Sequence, residues 1–276
     1  MSHKNKDPLG DRMKLYESQE AGRRFIPLLP ICIRLDGRSF SRWTKGLGRP
    51  YDARLHDLMT AVTRGLVEET NACVGYTQSD EISLVLYSAD LKSQVYFDGR
   101  IQKIVSSLSG FASALFNAML GDYIPEKCNT GNLATFDCRA WTVPNLDEAV
   151  NTVLWREFDA TKNSVSQSAH FYYSHNQLLG KHKSEMQDML MAKGVNWNDY
   201  PDWFKRGTYV QRRLVSRPYS TAEIERLPAR HEARTNPGLV DRHVVQDGTM
   251  PPLARVVNRV AVVFHGEAPV VAEKEA

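Results

Sequence analysis

No stretch of about 18 consecutive apolar residues occurs in this chain of 276, so no membrane-spanning helix is legible in it. The N-terminal string MSHKNKDPLGDR lacks the apolar segment of an export signal. Cysteine is scarce: Cys32, Cys73, Cys128 and Cys138 form no C-x-x-C pair, so neither a zinc knuckle nor a disulfide scaffold is indicated. A soluble, unexported protein in a reduced cytoplasm is the expectation. Charge of one sign is also missing, the formal net charge being +3, which excludes a histone-like polycation. There is no internal repeat and no G-x-S-x-G elbow, so no protein nucleophile is nominated.

What is present is the composition of an ordinary globular protein, 42% hydrophobic and 24% charged. Residues 28 to 35 form a short apolar run that stops at Asp36-Gly37, the pattern of a buried strand ending in a turn. From Asp52, placed to cap a helix, Leu55, Leu58, Met59, Val62, Leu66 and Val67 share one stripe as far as Asn71. Ala72 to Thr77 and Glu81 to Tyr87 flank Gln78-Ser79-Asp80 and predict a β-hairpin, with Ile82, Leu84 and Leu86 alternating against Glu81, Ser83 and Val85. A long amphipathic helix is predicted from Arg100 to Leu120, then a strand from Leu133 to Thr142.

The order strand, helix, hairpin, helix, strand predicts an α+β fold in which helices pack on one face of an antiparallel-rich sheet, an arrangement that resembles the palm of polymerases and nucleotide cyclases. Residues 1–145 read as this catalytic core. Residues 146–276 read as a mainly helical, basic part packed on it, with a loop-dominated arm over 215–255 and a returning strand from Val256 to Phe264. Basic clusters fall late in the chain, at Lys181 to Lys183, Lys205-Arg206, Arg212-Arg213 and Arg226 to Arg234. Each is either a solvated face or a surface for a polyanion. The triplet Phe171-Tyr172-Tyr173 suits packing better than base stacking.

Two carboxylates stand out. Asp36 closes the first strand, followed by a glycine that lets the chain turn, and Asp80 sits at the hairpin tip. Asp-Gly and Ser-Asp-Glu are also common turn strings, so either alone reads as structural. Side by side on neighbouring strand ends, they are what a hard divalent ion needs for phosphoryl transfer, with the Gly37 carbonyl as a further oxygen ligand.

The strings RLDGRSFSRW (Arg34 to Trp43) and GYTQSDEISLVLY (Gly75 to Tyr87) resemble the core of the tRNA-His guanylyltransferase family of reverse-direction polymerases. The likeness continues through Arg100 to Lys103, Phe136 to Arg139, Trp155-Arg156, Gly194 to Asn198 and Lys205 to Thr208, covering residues 11 to 215. It implies that Asp36, Gly37 and Asp80 hold two Mg²⁺ ions, with Glu81 supporting the site and Ser79 behind it. It also implies that the amides of Arg38, Ser39 and Phe40, with Arg49 in place of a usual lysine, meet a nucleotide triphosphate, and that Arg100 and Lys103 project towards phosphates. Members dedicated to tRNA-His carry a His-Ile-Asn-Asn-Leu-Tyr-Asn-Thr-like string after Trp-Arg. Here the segment is Thr161 to Ser168, of which Asn163 alone clearly matches, and this resembles the like-protein branch that extends truncated tRNA 5′ ends.

The resemblance implies activation of a tRNA 5′ end with ATP, then addition of GTP or another NTP. It also implies tRNA held by Asn163, Lys181, Lys183, Lys205 and Arg206, and a homotetramer. Two other readings stay open: a palm-fold cyclase making a small signalling nucleotide, and a non-catalytic RNA-binding module.

Overall fold

In the computed structural model, which describes residues 7–93, 95–128 and 130–272, the N-terminal helix α1 (Pro8–Ala21) starts on a proline and is capped by Asp7, whose carboxylate accepts from the Gly10 amide. The first six residues of the string examined for an export signal lie outside the described residues. There follow β1 (Ile31–Gly37), α2 (Phe40–Trp43), α3 (Ala53–Thr70), the hairpin β2 (Val74–Gln78) and β3 (Glu81–Leu86), α4 (Ile101–Tyr123) and β4 (Phe136–Thr142). Each predicted element of the first half is found, displaced by a few residues at its ends. The chain continues through α5 (Leu146–Tyr172), α6 (His175–Leu178), α7 (Lys183–Ala192), α8 (Asp202–Arg206), β5 (Thr208–Pro218), α9 (Thr221–Arg226) and β6 (Leu239–Gly248).

The strands form one antiparallel sheet in the order β4-β1-β3-β2-β5-β6. Because successive side chains on a strand point to opposite faces, Ile31, Ile33 and Leu35 face one way and Cys32, Arg34 and Asp36 the other. The first face, with Ile82 and Leu84, packs on Leu58, Val62 and Leu66 of α3 and Ile104, Leu108 and Phe116 of α4. By length and composition α4 is apolar enough to cross a membrane, yet its stripe from Ile104 to Leu120 is buried against the sheet.

Helices cover both faces, where the sequence predicts one. Cys32, Val74, Tyr76 and Val85 pack on Ala149, Val150, Val153 and Ala160 of α5, and on Leu253, Val256, Val262 and Val263 from the C-terminal segment. The predicted alternation in β3 fails for the same reason: with both faces covered, Ser83 and Val85 are buried as fully as Ile82 and Leu84. The arm over 215–255 is loop and short helix around one strand pair that the sequence did not predict, β5 with β6, in register from Tyr209 opposite Gly248 to Pro218 opposite Leu239. The expected strand at Val256 to Phe264 is instead a loop leading into one wide helical turn, Ala261–His265, which tucks Val262 and Val263 under the sheet.

One turn fixes the start of α3. Asp52 accepts from the amides of Arg54 and Gly48, both at 3.0 Å, and from the Arg54 guanidinium at 2.8 and 3.0 Å. These bonds, those of Arg54 foremost, hold its carboxyl at about 2, below the ordinary 3.8. Since the folded value is the lower one, the stabilisation is present above the ordinary value and is lost as pH falls through the folded one. Asp52→Ala is expected to cost about 1–2 kcal/mol in urea unfolding at neutral pH. The gap from the native protein should narrow progressively below about pH 4.

Candidate active site

Asp36 ends β1 and pairs with Glu81 of β3 on one side and Asp137 of β4 on the other, so the three carboxylates share one sheet end and the face turned to α5. The hairpin turn is only two residues long, and Ser79 takes a left-handed φ of 55° to close it, which sets Asp80 beside Asp36. The Gly37 amide donates to the Asp80 carbonyl at 3.1 Å and ties the two strand ends together. Glycine is required at 37 because a Cβ there would run into the Phe40 ring.

Around these carboxylates opens a cleft of about 510 Å³. It is lined by Asp36, Gly37, Ser79 and Asp80, by Ser39, Phe40 and Arg49, by the aromatic group Tyr51, His56, Trp203 and Phe204, and by Gln167 of α5. Tyr51 packs on Phe204 at 4.7 Å and Trp203 at 5.0 Å, and His56 stacks on Trp203 at 4.1 Å. Burial lowers the His56 pKa, which favours a neutral ring. Aromatic side chains and carboxylates lining one cleft suit a ligand that is flat at one end and polyanionic at the other.

Asp80 is desolvated, and this burial, with the negative charge of Asp36 beside it, pushes its carboxyl above the ordinary range. Its side chain accepts from the Ser79 hydroxyl at 3.1 Å and has no cationic partner among the described residues. Among the described residues Asp36 has one cationic neighbour, the Arg139 guanidinium at 4.0 Å. Two adjacent carboxylates with a single distant cation between them fit a divalent ion. No group of three or more His, Cys, Asp or Glu among the described residues could hold one, but a hard ion that keeps water and phosphate oxygens needs only one or two carboxylates and a carbonyl.

Several expected site residues stand elsewhere. Glu81 turns away from the cleft into a buried fork with Arg156, which also bonds Asp159 at 2.7 Å, so its carboxylate is already engaged. The Arg38 amide donates to the Thr135 carbonyl at 2.8 Å and is not open to an anion, whereas Ser39 and Phe40 do line the cleft. Arg100 and Lys103 begin α4, and neither lines the cleft. On α4 the Ser109 hydroxyl bonds the Phe136 carbonyl at the active end, about 13 Å beyond Arg100 and about 9 Å beyond Lys103 at 1.5 Å per residue.

The basic residues divide. Lys205 is buried, donates to the Asn198 carbonyl at 2.6 Å and pairs with Asp202 at 3.1 Å, while Arg206 pairs with Asp202 at 2.6 Å. Both are tied into α8 and largely covered, Lys205 at 9% and Arg206 at 20% side-chain exposure, although their one shared carboxylate leaves a net positive charge. Lys181 forms a surface pair with Glu185 and Lys183 lies over the Trp197 ring at 5.7 Å. Asn163 is exposed on α5, and Phe171 and Tyr172 are exposed where packing was expected, Tyr173 alone turning in to bond the Met189 carbonyl. The aromatic wall and Gln167 had no signal in the sequence beyond a Trp-Phe pair after a proline, since they reach the cleft from α3, α5 and α8.

The profile of the tRNA(His) guanylyltransferase family matches residues 10–144. The Schizosaccharomyces pombe tRNA(His) guanylyltransferase is 30% identical, over 71% of this chain and 78% of that protein. A bacterial tRNA(His) guanylyltransferase-like protein solved with ATP superposes with a TM-score of 0.69 at 38% identity, over 74% of this chain and 88% of its own. One solved with GTP gives a TM-score of 0.68 at 31% identity, over 90% of this chain and 94% of its own. The likeness therefore runs well past the core and into the second half.

Proposed function

The chain belongs to the tRNA(His) guanylyltransferase family and is a nucleotidyltransferase of tRNA 5′ ends; on that premise we propose that it activates the 5′ end with ATP and then adds GTP or another templated NTP at the Asp36–Asp80 cleft. The observation that carries this reading is the desolvated Asp80 beside Asp36, both lining a cleft that also carries aromatic side chains.

In the first step an oxygen of the tRNA 5′-monophosphate attacks the α-phosphorus of ATP, a new P–O bond forms, and pyrophosphate leaves. In the second, the 3′-hydroxyl of the incoming NTP attacks the 5′ phosphorus, loses its proton to solvent, and AMP leaves. The chain's part is alignment. Tyr51, His56, Trp203 and Phe204 would hold the base, Arg49 and the amides of Ser39 and Phe40 the phosphates, and the Ser79 hydroxyl orients Asp80. Asp36, Asp80 and the Gly37 carbonyl would hold two Mg²⁺ ions, which when bound would supply charge neutralisation at the phosphates. Little covalent work is left to protein groups.

The segment Thr161 to Ser168, which lies on α5 with Gln167 at the cleft, departs from the string of members dedicated to tRNA-His, and this departure favours repair of truncated 5′ ends over a dedicated tRNA-His role. Asn163, Lys181 and Lys183 stay in this reading as tRNA contacts on the helical side, and the four free cysteines suit a cytoplasmic protein. The test is incubation with Mg²⁺, labelled ATP or GTP and 5′-truncated tRNA. Expected are a 5′-adenylylated intermediate and a one-nucleotide extension, both abolished by EDTA; a cyclic nucleotide product without tRNA extension would favour the cyclase reading.

A further inference from the structure

One loop, residues 44–52 between α2 and α3, supplies seven of the residues that line the cleft, Arg49 and Tyr51 among them. Within it only Leu47 is buried, and at Gly46, where φ is 92°, an added Cβ would meet nothing within 4 Å. Much of the loop is therefore open to water, and its shape depends on how its ends are held. Both ends are tied to the same short turn, Pro125–Lys127, which follows α4. The Lys127 ammonium donates to the carbonyls of Trp43 at 2.8 Å and Lys45 at 2.7 Å, at the end of α2, where a helix leaves its last carbonyls without partners of its own. It also lies over the Trp43 ring at 5.4 Å. Glu126, its neighbour, pairs with Arg54 at 2.7 Å, and the Arg54 guanidinium grips Asp52 at the other end of the loop. The turn itself is rooted in the core: Ile124, just before it, is fully buried, and its amide donates to the Leu120 carbonyl at 2.8 Å.

We propose that Lys127, helped by Glu126, is a positioning residue for the nucleotide: it sets the loop 44–52 so that Arg49 meets the triphosphate and Tyr51 the base. Neither Lys127 nor Glu126 lines the cleft, so both act through the loop. The proposal rests on the nucleotide reading of the cleft given above. Among the described residues the half-buried ammonium of Lys127 is committed to two carbonyls and a ring face, with no carboxylate to neutralise, so its role is to hold a shape. Losing the tie frees the end of α2 and lets Arg49 and Tyr51 drift from the ligand. Asp36 and Asp80 stand on the sheet and keep their places. What is lost is thus binding shared equally by ground state and transition state, which raises KM for ATP and leaves kcat in place.

The test uses the full chain. Lys127→Met keeps the apolar stem and removes the ammonium. It should raise KM for ATP in the 5′-adenylylation step about tenfold, with kcat and KM for RNA within about twofold of the native values. Lys127→Arg restores a cation with donors for the two carbonyls and should recover most of the loss. In hydrogen exchange without nucleotide, amides of residues 44–52 should exchange faster in Lys127→Met, while those of β1 and the middle of α3 keep native rates. Native KM and native loop exchange in Lys127→Met would overturn the proposal. So would a fall in kcat with faster exchange across β1 and α3, which marks a general loss of the fold. Should Lys127→Met not fold, Glu126→Ala, at an exposed position, carries the comparison with the same split at about twofold, and a native KM there overturns the proposal. Titration with a non-hydrolysable ATP analogue and Mg²⁺ needs no RNA and should show the same weakening. A native protein that binds the analogue but extends no RNA would count against the tRNA reading, and the titration still decides the positioning role; one that binds no nucleotide overturns both.

Discussion

Asp80→Asn should lower nucleotide addition on the order of a thousandfold or more, yet leave the metal-free protein as stable as before or more so. The two effects have one cause. Asp80 is desolvated beside Asp36 and among the described residues has the Ser79 hydroxyl as its one side-chain hydrogen-bond partner, so its charge is a cost to the fold in the absence of a bound cation. Replacing it with a neutral isostere removes the repulsion and the desolvation together. The native protein should therefore melt higher when Mg²⁺ and a nucleotide are added, because a ligand that binds only the folded state stabilises it, and the variant should lose most of that rise. A melting curve with and without Mg²⁺ checks the sign; a variant that melts well below the native protein without metal would show that Asp80 is structural.

Arg156→Met should behave in the opposite way, losing about 3–5 kcal/mol of stability, because the fork it forms with Glu81 is buried and its removal leaves a carboxylate without a partner. Asp159, bonded to the same guanidinium, is left with the exposed Lys162 ammonium at 3.5 Å. The pair joins the middle of α5 to the first residue of β3, so the start of the strand after Asp80 should loosen and activity should fall through misplacement of the turn. Adding Glu81→Gln to Arg156→Met should recover part of the loss, since neither charge is then stranded. Urea unfolding of the two single variants and the double variant measures the coupling. Glu81→Gln alone should destabilise the fold, whereas a metal ligand would show its loss mainly in Mg²⁺ affinity.

The first half of the chain was legible because its signals are local. The stripe from Leu55 to Val67, the cap at Asp52 and the turn at Ser79-Asp80 are each specified within a few residues, and the two aspartates followed from where those elements end. The second half depends on pairings far apart in sequence. β5 and β6 interrupt their valines with arginines and aspartates at irregular spacing, so no steady alternation marks them as strands. Val256 to Phe264 reads as a strand on composition, but its valines are wanted under Tyr76 and Val74, and a helical turn delivers them there.

The same limit shaped the reading of the site. Lys205-Arg206 looked like a phosphate-binding pair, but Asp202 and the Asn198 carbonyl, within a few residues, engage their donors, and burial of Lys205 depends on Trp197 and on how α8 packs. Glu81 looked like a third site carboxylate because it follows Asp80. Its partner Arg156 is 75 residues away, so nothing local could reveal that its side chain is committed. His56, Gln167 and Trp203 come to the cleft from three helices and carry no shared motif.

The most direct test of the Asp36–Asp80 assignment is diffraction from crystals grown with Mn²⁺ and a non-hydrolysable ATP analogue, with data collected at the manganese edge. The expected result is anomalous density between the two carboxylates and the triphosphate, with the base against Tyr51, His56 and Trp203. Manganese and nucleotide bound elsewhere, with Asp36 and Asp80 bare, would contradict it.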